Sequence, residues 1–212
     1  TVNRDYAGLV EYYGAYYYVA NGVVDWDYNG VTEYDGALYY VEKYNLEYRK
    51  AKILYIRAKI FMAKNELTLA QQFFLSSNVI FIKNNNHEEI INTFLNLGKI
   101  TLEVKAYHSA NSYLRQAEKV YLDNNIGNDS LIGEIYFYMA QSYYKIDNLT
   151  QAMNYSFLAK SKFEQVNNRE EYAKTLLFIS EEYNKNGDLD NAIKYSEKTL
   201  EVYKELEELS NI

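Results

Sequence analysis

The chain has 212 residues, 48% of them apolar, and a formal net charge of −7. That composition supports a packed core and argues against a disordered tail, while the acidic balance argues against direct binding of a phosphate backbone. It contains no cysteine and no proline, which removes disulfides, thiolate metal sites and cysteine nucleophiles and suits long uninterrupted helices.

No stretch approaches the roughly 18 apolar residues needed to span a bilayer. The sequence starts at Thr1 without a methionine and shows no signal peptide, so it reads as a processed or excised piece of something longer. Its style changes near Tyr44–Asn45, which sets a domain boundary between 1–45 and 46–212. Residues 1–45 hold most of the negative charge, with seven acids against Arg4 and Lys43.

The first segment repeats at 22 residues. Gly8-Leu-Val-Glu-Tyr-Tyr-Gly-Ala-Tyr-Tyr-Tyr-Val19 lies over Gly30-Val-Thr-Glu-Tyr-Asp-Gly-Ala-Leu-Tyr-Tyr-Val41. Aromatic and β-branched runs broken by Tyr-Gly or Asp-Gly predict one β-hairpin per unit, with glycine supplying the positive φ of the turn. These units resemble the aromatic repeats of Gram-positive surface proteins, relatives of choline- and glucan-binding repeats. The Gly-x-Trp-Tyr-Tyr signature stands here as Gly14-Ala-Tyr-Tyr-Tyr18 and Gly36-Ala-Leu-Tyr-Tyr40, without its tryptophan. The resemblance implies a glycan or choline site between successive hairpins, two copies making one site at most. The competing reading is that the tyrosines only pack hairpin on hairpin, and two such units must lean on a neighbour.

From Leu46 onward the apolar pattern has helical period, interrupted by short polar turns. The predicted helices are 46–64, 67–83, 87–104, 107–123, 129–146, 149–165, 169–186 and 189–208. Ala70, Ala110, Ala152 and Ala192 recur at spacings of 40, 42 and 40. Twelve residues earlier stand Ala58, Gly98, Ala140 and Ser180, and seven later Ser77, Ala117, Ala159 and Thr199, all small. Small residues let paired helices approach, and large ones fill the holes between pairs. With Leu54, Phe94, Tyr136 and Leu176 at the first large position, these offsets are those of the tetratricopeptide motif, large at 4, 7 and 11 and small at 8, 20 and 27. Arg57 at position 7 and Thr101 at position 11 depart from it.

The expected fold is therefore mainly α: a right-handed α-solenoid of four hairpins, preceded by the two-repeat β-hairpin segment. A period near 40 rather than 34 implies longer helices or loops. It resembles the repeat domains of bacterial peptide-pheromone-sensing regulators, in repeat length and in phrases such as Glu171-Tyr-Ala-Lys-Thr-Leu-Leu-Phe178 followed by Gly187-Asp-Leu-Asp-Asn-Ala192. Those regulators usually carry a helix-turn-helix domain in front, which is absent here.

In that architecture, positions 2, 5, 9 and 12 of each hairpin's first helix line a concave groove. An extended peptide needs its amides satisfied, so amide and tyrosine side chains suit the task. The candidate groove residues are Tyr55, Lys59, Asn92, Lys99, Phe137, Gln141, Tyr144 and Glu181. Lys59 and Lys99, at equivalent positions, are placed to meet a carboxylate. The co-chaperone carboxylate clamp of the family is absent, its slots reading Tyr55, Lys59, Lys99, Phe137 and Gln141. The first helix is rich in Lys and Arg and the last in Glu, a polarity that suits head-to-tail homo-oligomers or a plain solvated surface.

Chemistry is not visible. His87 and His108 lack a second ligand at metal spacing, no phosphate-cradling loop exists, and no cofactor is expected. The leading expectation is a peptide- or protein-binding scaffold, the sensing part of a regulator, without enzymatic activity. The alternatives are a cell-surface attachment protein and an engineered or artefactual join of the two segments. The helical part points to the cytoplasm and the aromatic repeats to the cell surface.

Overall fold

The computed structural model describes the backbone of residues 8–12, 15–20, 23–24, 30–34, 37–41 and 44–210, and the side chains of residues 47–209. In the first part, β1 (Gly8–Tyr12), β2 (Ala15–Ala20) and β3 (Val23–Val24) form one antiparallel sheet in that order, and β4 (Gly30–Tyr34) pairs with β5 (Ala37–Val41). The register places Glu11 opposite Tyr16 and Glu33 opposite Leu38, equivalent pairs in the two units. The Tyr-Gly and Asp-Gly turns at 13–14 and 35–36, and all the aromatic side chains of this segment, lie outside the described residues.

Eight helices follow: α1 (Tyr44–Ala63), α2 (Leu67–Lys83), α3 (His87–Glu103), α4 (Tyr107–Asp123), α5 (Asp129–Lys145), α6 (Leu149–Gln165), α7 (Arg169–Lys185) and α8 (Leu189–Ser210). Each packs on the next, giving four hairpins in an α-solenoid. No helix among the described residues is long and apolar enough to cross a membrane.

The forty-residue period comes from the helices. Each of α2 to α7 has 17 residues, nearly five turns. The turns within hairpins and between them are built alike. Asn65, Asn85, Lys105, Asn125, Asp147, Asn167 and Gly187 each adopt a positive φ. After each, the next amide donates to the carbonyl five residues back, from Glu66 N–H to Phe61 at 2.8 Å to Asp188 N–H to Tyr183 at 3.0 Å. This is the Schellman closure, which satisfies carbonyls that a helix end leaves orphaned. Asn128, Asn148, Asn168 and Asp188 then cap the following helices, their side-chain oxygens accepting from the amides of Leu131, Gln151, Glu171 and Asn191. The two extra residues of the 42-residue spacing sit between α4 and α5, around Gly127.

All twelve small motif positions are buried. At three of the four hairpins the ring at position 11 stacks on the ring twelve residues later: Phe61 on Phe73, Tyr143 on Tyr155, and Tyr183 on Tyr195, with centroids 5.3–5.5 Å apart. The second hairpin has Thr101 there instead. Its hydroxyl turns back on the carbonyls of Leu97 and Gly98, and Tyr113 packs against Phe94. Arg57, the other departure from the motif, is exposed on α1. Phe74, Phe81, Leu114, Ile135, Met139, Phe163 and Leu176 are fully or almost fully buried, and each such side chain stabilises the fold by about 1.5–3 kcal/mol.

Candidate functional site

The odd-numbered helices α1, α3, α5 and α7 follow one another along one face, and side chains bridge each neighbouring pair. Between α1 and α3, Tyr48 Oη donates to Glu89 Oε1 at 2.7 Å and Lys52 Nζ reaches the same oxygen at 2.9 Å. Burial by itself raises the Glu89 carboxyl, but the bonds from Lys52 and Tyr48 outweigh it and hold Glu89 below the ordinary carboxylate range. Two helical turns further on, Asn96 Nδ2 donates to Tyr55 Oη at 3.0 Å.

Between α3 and α5, Lys99 forms an ion pair with Glu134, and its ammonium lies 4.8 Å from the centre of the Tyr138 ring. Between α5 and α7 the face becomes aromatic. Phe178 packs edge-on against Phe137 at 5.8 Å and against Tyr144 at 5.3 Å. Phe137, Gln141 and Tyr144 fall at i, i+4 and i+7 on α5, one helical face, so Gln141 lies along the helix between the two residues whose rings Phe178 touches. All four side chains are half-buried. Lys185 closes the end of this group, its ammonium 4.3 Å from the Tyr144 ring and paired with Asp147.

The eight candidates thus take different roles. Phe137 and Tyr144 come together around Phe178, with Gln141 on the same face of α5. Tyr55 is turned inward, edge-on to Phe74 at 5.3 Å, with only its hydroxyl at the face. Asn92 donates to the Glu88 carbonyl of its own helix at 3.0 Å. Lys99 is engaged with Glu134, while Lys59 and Glu181 are exposed. Sequence reasoning passed over position 6 of the motif, where Asn96, Tyr138 and Phe178 supply the bridging side chains. All three are half-buried, but the position reads Ile56, Asn96, Tyr138 and Phe178 along the four repeats, so residue type gave no shared signal.

Charge along this face is largely neutralised in place. Lys52, Lys99 and Lys185 each meet a carboxylate from a neighbouring odd-numbered helix or its turn, and Lys174 meets Glu170 and Glu171 on its own helix at 2.8 Å. Among the described residues no group of three or more His, Asp or Glu side chains is placed to hold a metal. His87 is half-buried and His108 exposed, on different helices.

No family model matches the chain, and no curated protein sequence is similar to it. Solved structures are. Aspartyl phosphate phosphatase F from Bacillus subtilis superposes with a TM-score of 0.69 at 15% identity, over 76% of this chain and 42% of that one. A Rap protein complexed with competence and sporulation factor gives 0.68 at 17% identity, over 76% and 44%. The Rap conjugation gene regulator of plasmid pLS20, in complex with the Phr* peptide, gives 0.63 at 19%, over 76% and 44%. The chain spans less than half the length of each. At such identities the likeness is one of fold: the eight helices form a repeat of tetratricopeptide-type architecture, similar to that of the Rap proteins.

Proposed function

We propose that the face formed by α1, α3, α5 and α7 binds a short extended peptide, anchored where Phe178 packs between Phe137 and Tyr144. That half-buried aromatic group beside Gln141 carries the reading. It offers apolar area to a side chain and an amide to a peptide backbone, the pairing that extended ligands require. One similar fold was solved in complex with the Phr* peptide and another with competence and sporulation factor, which supports the assignment. Because Lys52, Lys99, Lys174 and Lys185 already meet carboxylates, with Lys59 left exposed, the ligand is recognised by shape, aromatic contact and amide bonding more than by charge. The reading is one of binding, not catalysis, and it places the sensing unit at 46–212, with 1–45 a separate two-repeat hairpin unit.

The test is a fluorescence-anisotropy screen of the whole chain against a synthetic library of penta- to heptapeptides. At least one peptide is expected to bind, and Phe178→Ala and Gln141→Ala are each expected to weaken it tenfold or more while leaving helicity unchanged. Binding that neither substitution alters would move the site elsewhere. No binding across the library would remove the proposal.

A further inference from the structure

Each hairpin is locked onto the one before it by buried side chains, and in the contact between α6 and α7 one of these is an acid. Glu182 stands at position 10 of the fourth repeat and is fully buried. Its Oε1 accepts from the Ser156 hydroxyl on α6 at 2.9 Å, and its Oε2 meets no donor. A buried carboxylate needs a cation or several donors. Among the described residues no base reaches this one. Lys145 on α5 lies 5.9 Å from the centre of the Tyr144 ring, Lys160 on α6 pairs with Glu164, Lys185 on α7 pairs with Asp147, and Lys198 on α8 lies 5.7 Å from the Tyr172 ring. The titratable neighbours are themselves acids. Glu181 opposes its charge, and Tyr183, stacked on Tyr195 of α8, is pushed up by burial and by the charges around it, Glu182 included. The surroundings suit the neutral, protonated acid.

Phe178 lies one helical turn before Glu182 on α7 and packs against Phe137 and Tyr144 of α5. The two side chains fix the same stretch of α7 to the third hairpin, Phe178 against α5 and Glu182 against α6. One turn beyond, Lys185 ties the end of that stretch to Asp147 and donates to the Tyr144 carbonyl at 3.2 Å. A charge on Glu182 is solvated only when this stretch lifts from α6, and the Phe178 ring then leaves its seat.

We propose that the proton on Glu182 controls the seating of Phe178, so that the peptide face is competent to bind in acid and loses its ligand as the pH rises. The inference rests on the reading of that face as a peptide site. Burial pushes the carboxyl up to about 8, against an ordinary 4.5. The seated form therefore keeps a proton that the lifted form releases, and it is disfavoured progressively as the pH rises from about 4.5 to about 8. A peptide that binds only the seated form follows the same course.

Two measurements on the whole chain test this between pH 5 and pH 8.5. The first is the fluorine NMR signal of Phe178 carrying a ring fluorine, with no ligand present. It is expected to move through one transition in wild type and to stay fixed in Glu182→Gln, whose amide is neutral throughout. The second is fluorescence anisotropy with a bound library peptide that has blocked ends and no titratable side chain. Its affinity is expected to weaken at least tenfold from pH 6 to pH 8.5 in wild type and to hold steady in Glu182→Gln. That variant keeps His87 and His108, so their titration does not account for a difference. A Phe178 signal that never moves, or moves equally in the variant, overturns the proposal, as does an affinity that responds to pH alike in both. If no peptide binds, the binding reading fails on its own, and the fluorine signal alone upholds or overturns the coupling.

Discussion

The Ser156 hydroxyl donates to Oε1 of Glu182 at 2.9 Å inside the α6–α7 contact, while Oε2 of that carboxyl meets no donor. The positions are complementary in size. Where hairpins one and two have Phe74 and Leu114, the third has Ser156, and where α3 and α5 have Ile100 and Ser142, α7 has the fully buried Glu182. A long side chain from α7 thus fills the hole that a small one leaves on α6, and brings a carboxyl into the core.

Burial pushes the Glu182 carboxyl up to about 8, against an ordinary value of 4.5. The folded state therefore holds a proton that the unfolded chain releases, and stability falls as pH rises from about 4.5 to about 8. Each pH unit in that window costs about 1.4 kcal/mol, with the loss complete above pH 8. Glu182→Gln should flatten this slope. Urea titrations at pH 5 and pH 8.5 are expected to show the variant gaining several kcal/mol relative to wild type between the two. Parallel pH profiles would mean that the carboxyl ionises freely in the fold.

Gly98 lies against α4 with no room for a side chain. A Cβ there would stand 2.7 Å from Cγ and Cδ2 of Leu114, which is itself fully buried. Overpacking of this kind costs about 1–3 kcal/mol, partly offset by the roughly 1 kcal/mol by which alanine favours helix over glycine. Gly98→Ala should lower the midpoint of thermal unfolding. Combined with Leu114→Val, it should lose less than the two single changes together, since the smaller side chain makes room.

How much of this was readable from the residues alone follows from how local each feature is. The predicted helix ends match the observed ones within two residues, because most ends are marked locally, by Asn, Asp or Gly in the turn and, ahead of α5 to α8, by a capping side chain. The small positions were readable because close helix approach repeats at fixed offsets. The binding face was less so. Whether Lys99 is free or paired depends on Glu134, 35 residues away on another helix. Tyr55 turns inward because Phe74 on α2 offers it an edge. Phe178 matters through Phe137 and Tyr144, and no offset within one repeat announces that contact.

Gly187 tests the turn in isolation from packing. Its φ is +82°, and a Cβ there would meet nothing within 4 Å. Gly187→Ala therefore carries only the backbone cost of a left-handed conformation, about 1–2 kcal/mol. The six equivalent positions tolerate Asn, Asp or Lys at φ between 49° and 63°, so Gly187→Asn should cost less than Gly187→Ala. Chemical denaturation of the two variants would show it, and equal losses would mean that residue type at this turn is immaterial.

Ala106 occupies the N-cap of α4 without a side chain to cap it. Its backbone, with φ −85° and ψ 62°, is close to that of Asn148, with φ −91° and ψ 72°. Asn148 accepts from the amide three residues ahead. Ala106→Asp would place a carboxylate at the same station, able to accept from Ser109 N–H and to interact favourably with the positive end of the helix. The expected gain is about 1 kcal/mol, seen as a higher urea midpoint with an unchanged slope. Raising the salt concentration should reduce the gain without abolishing it, because the hydrogen bond survives screening and the dipole term does not. A variant no more stable than wild type would show that the α4 amides already have adequate partners in water.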